Sequence, residues 1–181
     1  MDRDKETLLL IDGHSIVNRA FYGIPPLTNS QGLHTNAIMG FLNIFLKEYS
    51  TFRPDYVLVA FDVRQKTFRH EIYSEYKGTR KGMPEELHEQ VPVLKDVLHS
   101  MGIHTSELPG YEADDVIGTH ARMATEEGKA VVILSGDRDL LQLATDTTLV
   151  AIPKTKAGGT EIENYYAADV LDKYQITPTE F

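Results

Sequence analysis

The chain has 181 residues, with 18 Lys and Arg against 27 Asp and Glu, no Cys, and a formal net charge of −9. This length suits one domain with a sizeable core, and the lack of Cys excludes disulfides, thiolate nucleophiles and Cys-ligated zinc. The first residues are charged and no apolar stretch could span a bilayer, so we expect a cytoplasmic protein with no membrane partner. Taken alone, the acidic balance argues against nucleic acid as a partner.

Along the chain, strand and helix patterns alternate, which predicts an α/β fold with a mostly parallel central sheet flanked by helices. Apolar runs predict strands at residues 7–11, 56–61, near 103, 130–134 and 148–152. Helical spacing predicts helices at 16–21, from 35 to about 52, at 85–101, from about 111, at 139–144 and at 166–174. Residues 154–159 are predicted to form a turn.

Seven carboxylates lie at or just past the ends of these apolar runs, and the carboxyl ends of parallel strands converge on one edge of a sheet. Acids this close repel one another unless cations are present. An oxygen-only ligand set indicates Mg²⁺ or Mn²⁺, and seven acids suit two ions about 4 Å apart. Acids at a helix start also have an electrostatic explanation through the helix dipole, but the joint pattern favours a metal site. The seven are Asp12, Asp62, Glu112, Asp114, Asp115, Asp137 and Asp139.

A basic segment stands out against the acidic remainder of the chain, at about residues 64–84. Phe68, Tyr73 and Tyr76 alternate there with cations, and a groove that follows a single nucleic-acid strand requires this mixture. A solvated surface loop is the alternative interpretation. Arg19, on the helix after Asp12, is a further candidate for phosphate binding, or else a surface charge. The cations of the segment are Arg64, Lys66, Arg69, Lys77, Arg80 and Lys81, opposed by Glu71 and Glu75.

Six ordered motifs resemble the 5′-nuclease family of flap endonuclease-like and PIN-like proteins, and in particular the 5′→3′ exonuclease domains joined to bacterial polymerases. The resemblance covers essentially the whole chain. The motifs are Leu10-Ile11-Asp12-Gly13-His14, Ala60-Phe61-Asp62, Thr67-Phe68-Arg69-His70, Tyr76-Lys77-Gly78-Thr79-Arg80, Gly110-Tyr111-Glu112-Ala113-Asp114-Asp115 and Ser135-Gly136-Asp137-Arg138-Asp139.

The resemblance implies a PIN-like or resolvase-like sheet in which all seven acids are metal ligands, with Asp12, Asp114 and Lys77 central to catalysis. The basic segment would form an arch over the 5′ strand. The implied function is metal-dependent 5′→3′ exonuclease and 5′-flap endonuclease activity in DNA replication and repair, with Mg²⁺ or Mn²⁺ as cofactor. DNA contacts would come from Arg19, Phe68, Arg69, Tyr73, Tyr76, Lys77, Arg80 and Lys81.

The implied partners are DNA with a 5′ flap, nick or free 5′ end, and RNA primers on DNA. The protein would be a monomer in the bacterial nucleoid, fused to a polymerase in its parent chain. In the family, a helix-three-turn-helix segment with two more acids follows this region. We therefore expect residues 1–181 to be a truncated exonuclease domain with a weakened second metal site and reduced activity.

Three other interpretations of the sequence stay open. A PIN-like ribonuclease has a similar acid-lined sheet, although the long basic segment argues against it. A phospho-acceptor signalling domain also places Asp residues at strand ends, with a Lys near Lys154, but the three-acid helix start has no role there. A catalytically weak DNA-binding fragment is the third.

Overall fold

The computed structural model describes residues 5–63, 65, 67–72, 82–156 and 159–181. Most of the basic segment, including Tyr73, Tyr76, Lys77, Arg80 and Lys81, lies outside the described residues, and so does the predicted arch. None of the helices in the described part of the chain combines the length and apolar character that a membrane span requires.

Strands and helices alternate through most of the chain, as the sequence predicts. The strands are β1 (Thr7–Asp12), β2 (Tyr56–Ala60), β3 (His104–Ser106), β4 (Ala130–Leu134), β5 (Thr148–Lys156) and β6 (Gly159–Tyr165). The helices are α1 (Gly13–Gly23), α2 (Asn36–Phe52), α3 (Phe68–Ile72), α4 (Glu85–His88), α5 (Gln90–Ser100), α6 (Ala113–Glu126) and α7 (Ala167–Tyr174). Two short 3₁₀ helices cover Arg138–Leu143 and Pro178–Glu180.

The described strands form one six-stranded sheet in the order β3-β2-β1-β4-β5-β6. Every neighbouring pair is parallel except β5 and β6, which are antiparallel. The prediction of a mostly parallel α/β sheet is therefore confirmed. Because β1 lies at the centre of the sheet, the residue that follows its apolar run lies between the ends of β2 and β4.

Side chains alternate between two apolar layers, one on each face of the sheet. Leu9 and Ile11 of β1 pack with α1, α2 and α5, whereas Leu10 packs on the opposite face with α6. Both layers are fully buried at β1 and β4, which is why these strands are continuous apolar runs in the sequence.

Gly13 allows α1 to begin directly after β1. A Cβ at this position would lie 2.5 Å from Cε1 of the Phe61 ring, so a larger residue would displace Phe61 or α1. The Asp12 side chain caps α1 by accepting a hydrogen bond from the Ser15 N–H at 3.0 Å. The turn from strand to helix thus fixes the position of the first predicted metal ligand.

Four elements differ from the sequence prediction. Strand β5 continues to Lys156, although residues 154–159 were predicted to form a turn. The predicted helix at 85–101 is divided at Glu89 into α4 and α5, because Pro92 has no N–H to donate to the carbonyl of His88 one turn earlier. Helix α3 falls in a stretch that has no clear period. Strand β6 was not predicted, because this edge strand is mostly polar and its neighbourhood contains the Gly158-Gly159 pair, which is typical of a turn.

Candidate active site

Six of the seven predicted ligands lie at the carboxyl ends of adjacent strands or at the start of α6, where Asp114 and Asp115 occupy the first turn. Asp12 ends β1, Asp62 follows β2, and Asp137 follows β4. Glu112 is the N-cap residue of α6, so the predicted helix start is confirmed to within two residues. The order β2-β1-β4 therefore brings acids from distant parts of the sequence to one edge of the sheet.

Asp114 lies close enough to these acids for their negative charges to affect its ionisation. Burial and, after it, the charges of four other carboxylates, on Asp12, Asp137, Asp62 and Glu112, together raise the pKa of Asp114 to about 7. We name these five residues the carboxylate cluster. A shift of this kind marks a site where several negative charges meet at a cost that a cation would offset.

Asp12 is held in place by hydrogen bonds on both of its side-chain oxygens. Oδ1 accepts from the Ser15 N–H, and Oδ2 accepts from the Ser135 hydroxyl at 2.8 Å. Burial raises the pKa of Asp12 to about 6, with smaller contributions from Asp62 and Asp137, while the two hydrogen bonds act in the opposite direction. These bonds orient a carboxylate that the surrounding charges destabilise.

Asp62 links the end of β2 to the start of α6. Its Oδ1 accepts a hydrogen bond from the Ala113 N–H at 2.7 Å. Its own N–H donates to Nδ1 of His14 at 3.0 Å, so the neutral imidazole carries its proton on Nε2. Burial lowers the pKa of His14, which favours this neutral form.

Asp115 points toward the basic segment. Arg69 forms a bidentate pair with its two side-chain oxygens, at 2.7 and 2.8 Å, and also lies 3.7 Å from Oε2 of Glu112. Asp115 also accepts a hydrogen bond from the N–H of Glu112, which completes a capping box at the start of α6. In this arrangement Asp115 orients Arg69 and Glu112.

Asp139 is exposed on the 3₁₀ helix that follows Asp137. Its backbone N–H donates to Oδ1 of Asp137 at 3.0 Å. The structure therefore places five of the seven predicted ligands in the carboxylate cluster, turns Asp115 toward Arg69 and leaves Asp139 at the surface.

Of the predicted DNA contacts, Arg19, Phe68 and Arg69 lie within the described residues. The Arg69 guanidinium lies 4.6 Å from the centre of the Phe68 ring, and that ring lies 5.8 Å from the ring of Tyr111. The Arg19 side chain lies beside Gly136, where a Cβ would come within 3.2 Å of Nε. Arg19 and Arg69 thus approach the cluster from different elements, α1 and α3.

The carboxylate cluster has the donor chemistry for a hard divalent cation, since it offers oxygen atoms alone. In the described part of the chain, however, no group of three or more acidic or histidine side chains is arranged to hold an ion as it stands. Both oxygens of Asp12 and one each of Asp62 and Asp137 already accept hydrogen bonds from the protein. Each of these oxygens keeps a second lone-pair site, so a carboxylate oxygen that accepts one hydrogen bond can also bind a cation.

Sequence reasoning assigned no role to the two hydroxyls that organise the cluster. Ser135 is fully buried, donates to Asp12 and accepts from the N–H of Asp137 at 3.0 Å. Ser15 accepts from the N–H of Gly136 at 2.9 Å. The one available signal is a small hydroxyl residue placed directly after a buried strand, a position where a side chain can reach the neighbouring strand end.

A mostly parallel sheet with acids at the ends of three adjacent strands defines an α/β protein with a candidate metal site at one edge of the sheet. A model of the family described as 5′-3′ exonuclease, N-terminal resolvase-like domain, matches residues 7–175. The chain therefore belongs to this family, and the resemblance predicted from the motifs is confirmed.

The chain is similar to part of several bacterial polymerases. It is 46% identical over 177 residues to DNA polymerase I of Bacillus subtilis (strain 168), and 48% identical over 176 residues to DNA polymerase I of Bacillus caldotenax. The matches cover 98% and 97% of this chain but 20% of each polymerase. The chain thus spans about a fifth of the length of these relatives.

Solved structures from bacteriophage T5 share the fold. The T5 D15 protein co-crystallised with metal ions matches with a TM-score of 0.70 at 21% identity, over 94% of this chain and 61% of that chain. A complex of the T5 D15 flap endonuclease with DNA and metal ions matches with a TM-score of 0.70 at 22% identity and the same coverage.

Proposed function

We propose that the chain is the catalytic part of a metal-dependent 5′-nuclease that hydrolyses phosphodiesters at the 5′ ends and flaps of DNA, and in RNA primers. The observation that carries this proposal is the convergence of four other carboxylates on a largely buried Asp114, whose pKa is raised to about 7 by burial and by their charges together. Such a concentration of negative charge has no structural purpose in a stable fold, whereas it suits a site for divalent cations.

Mg²⁺ or Mn²⁺ would be held by the carboxylate cluster, with Asp115 and Asp139 as ligands through water. When bound, the metal supplies an activated water and neutralises charge on the phosphate, and two ions can share these tasks. The T5 relatives that carry metal ions share this fold, which supports the choice of cofactor class.

The chain's own residues prepare this site. Ser135 and the N-terminus of α1 fix the orientation of Asp12 before any ligand arrives. Arg69 is held by Asp115 next to the cluster, where its guanidinium can contact a phosphate. We assign Lys77 as the residue that stabilises charge on the scissile phosphate, with Tyr76 and Arg80 alongside, in the part of the basic segment outside the described residues.

The products would carry a 5′-phosphate and a 3′-hydroxyl. We propose that the substrates are DNA with a 5′ flap, nick or free 5′ end and RNA primers on DNA, in a bacterial cell, and that in its parent protein the domain is fused to a polymerase. The polymerases of similar sequence support this arrangement.

A comparison of substrates tests the proposal. The purified chain, with Mn²⁺, is given a 5′-labelled flap duplex and a single-stranded RNA of the same sequence and length. We expect cleavage of the flap duplex near its junction and much slower cleavage of the RNA. Preferential cutting of the RNA would favour a ribonuclease and contradict the proposal.

A further inference from the structure

Two adjoining pockets beside the carboxylate cluster have an unusual lining for an acidic chain. One, of about 320 Å³, is lined in part by Asn18, Arg19 and Tyr22. The other, of about 270 Å³, is lined in part by Arg19, Asn43 and Lys47. Among the described residues that line them none is acidic, although the chain carries 27 acids. Both pockets therefore present cations and amides without competing carboxylates.

Arg19 is the charged residue that the two pockets share, and among the described residues its Nε lacks a compensating partner. Its Nε is buried and, within the part of the chain that the structure describes, has no hydrogen-bond partner. Burial lowers the pKa of the guanidinium, so the positive charge is held there at a cost. A buried donor on a cation that is left without an acceptor indicates a bound anion in the working state.

The local packing is shaped to hold Arg19 in this position. At Gly136 a Cβ would lie 3.2 Å from its Nε, so this turn leaves space for the guanidinium. At Gly40 of α2 a Cβ would lie 2.7 Å from Cβ of Ala20, so α1 and α2 approach more closely than any larger residue allows. Gly40 lines the second pocket together with Arg19 and Lys47, so this close approach of the helices brings both cations to one pocket.

Lys47 and Tyr22 both line these pockets and are exposed to solvent. Lys47 forms one hydrogen bond, to the backbone carbonyl of Thr160 in β6 at 3.3 Å, and the side chain of Tyr22 is 73% exposed. Lys47 and a partly buried Arg19 line one pocket, and the exposed ring of Tyr22 lines the other. Such groups can bind successive phosphates and a base.

We propose that Arg19 and Lys47, with Asn18 and Asn43, form a phosphate track along which a nucleic-acid strand leaves the carboxylate cluster, with Tyr22 packed against a nucleoside. The track rests on the proposed function for its ligand. The track extends from the end of β4 toward β6, whereas α3 lies on the other side of β1. It would therefore hold the nucleic acid on the side of the cut away from Phe68 and Arg69.

The first test measures binding without metal, so it does not depend on cleavage. The affinity of the Lys47→Ala variant for a flap duplex is measured by fluorescence anisotropy in EDTA at several salt concentrations. One lost phosphate contact should weaken binding several-fold and reduce the slope of log Kd against log salt by about 1. Lys129→Ala is the charge-matched control, because Lys129 precedes β4 at the opposite edge of the sheet. Equal effects of the two substitutions would overturn the track.

The second test locates the phosphate. Single neutral methylphosphonate linkages are placed in turn on either side of the cut. Where the linkage replaces the phosphate that Lys47 contacts, the Lys47→Ala variant and the unaltered protein should bind equally. The same linkage should leave the difference between the Tyr22→Ser variant and the unaltered protein in place. If no linkage removes the Lys47→Ala effect, the track is wrong.

NMR can detect binding that is too weak for anisotropy. The resonances of the Arg19 Nε–H and of the side-chain amides of Asn18 and Asn43 should shift when the duplex is titrated into the protein. Unchanged signals at saturating duplex would contradict the track.

The two proposals can fail separately. Shifts without metal-dependent cleavage would retain the track and reject the nuclease. Metal-dependent cleavage, together with a Lys47→Ala variant that binds the duplex as well as the unaltered protein, would support the nuclease and reject the track.

Discussion

One buried hydroxyl holds two of the predicted metal ligands at once. Ser135 Oγ donates to Asp12 and accepts from the backbone of Asp137, so it joins the ends of β1 and β4. At the residue scale the site is therefore organised by small polar groups as well as by acids. Asp12, Asp62 and Asp137 stay oriented despite their mutual repulsion because each accepts a hydrogen bond from a fixed donor.

Ser135→Ala removes this link. We expect it to lower kcat for flap cleavage by about tenfold, equivalent to about 1.4 kcal/mol, while the Kd for DNA in EDTA stays unchanged. The reason is that Asp12 loses its orientation and a buried carboxylate oxygen loses its donor. Ser100→Ala, which removes a hydroxyl that bonds only within its own helix, is the control. Unaltered kcat in the Ser135→Ala variant would show that Asp12 needs no such support.

Asp114→Asn tests how much the repulsion within the carboxylate cluster lowers the free energy of unfolding. The substitution keeps the shape of the side chain and removes the charge that its neighbours oppose, so the metal-free protein should be more stable by about 1 kcal/mol at pH 8. Thermal unfolding should show a Tm about 2–4 °C higher. The same variant should lose the stabilisation that Mn²⁺ gives the unaltered protein.

Asp172→Asn, on the exposed surface of α7, is the matched control and should change neither property. A metal-free Asp114→Asn protein that is less stable than the unaltered chain would mean that Asp114 has a structural role, and the electrostatic account of the cluster would be wrong.

At the scale of elements, α2 contains a buried charge that its packing does not explain. The side chain of Glu48 is 3% exposed, and burial raises its pKa, with Lys47 opposing that effect. A carboxylate in such a position destabilises the folded state whenever it is ionised.

Glu48→Gln should therefore stabilise the protein in a pH-dependent way. Because the folded pKa lies above the ordinary value of 4.5, the stability contributed by this group is greatest at low pH and falls as the pH rises through 4.5 to the folded pKa. The variant should gain little at pH 4 and about 1 kcal/mol at pH 7. Urea unfolding at both pH values measures this, and a gain that is larger at pH 4 would contradict the assignment.

Sequence patterns predicted best the elements whose residues are mostly buried among apolar side chains. Strand β4 and most of β1 are buried on both faces, and β2 is buried at its carboxyl end, so each is an apolar run in the sequence with an acid shortly after it. Strand β6 lies at an edge with polar residues, and only its pairing with β5 reveals it. Such pairing depends on contacts distant in sequence, which a local pattern does not contain.

The site was predictable to a similar extent. Strand ends located Asp12, Asp62 and Asp137, because the topology of a parallel sheet brings them together. The bidentate pair between Arg69 and Asp115 was not predictable, since it joins residues 46 positions apart through side-chain rotamers. The unsatisfied Nε of Arg19 likewise depends on packing around Gly136 that no sequence pattern specifies.

At the scale of the whole molecule, charge is divided between two regions of one sheet edge. The carboxylate cluster is negative, whereas Arg19 and Lys47 of the proposed phosphate track carry positive charge on one side of it and Arg69 does so on the other. The net charge of −9 hides this division, so composition alone argues against the partner that the arrangement favours.

Cleavage of a 5′-labelled flap duplex at low salt, with Mn²⁺, Mg²⁺ or EDTA, tests the central claim most directly. Low salt is needed because binding to phosphates weakens steeply as salt rises. We predict a cut near the junction that requires a divalent metal, is absent in EDTA, and falls at least about 100-fold in Asp114→Asn but not in Asp172→Asn. Cutting that persists in EDTA, or that survives in Asp114→Asn, would contradict a metal-dependent nuclease centred on the carboxylate cluster.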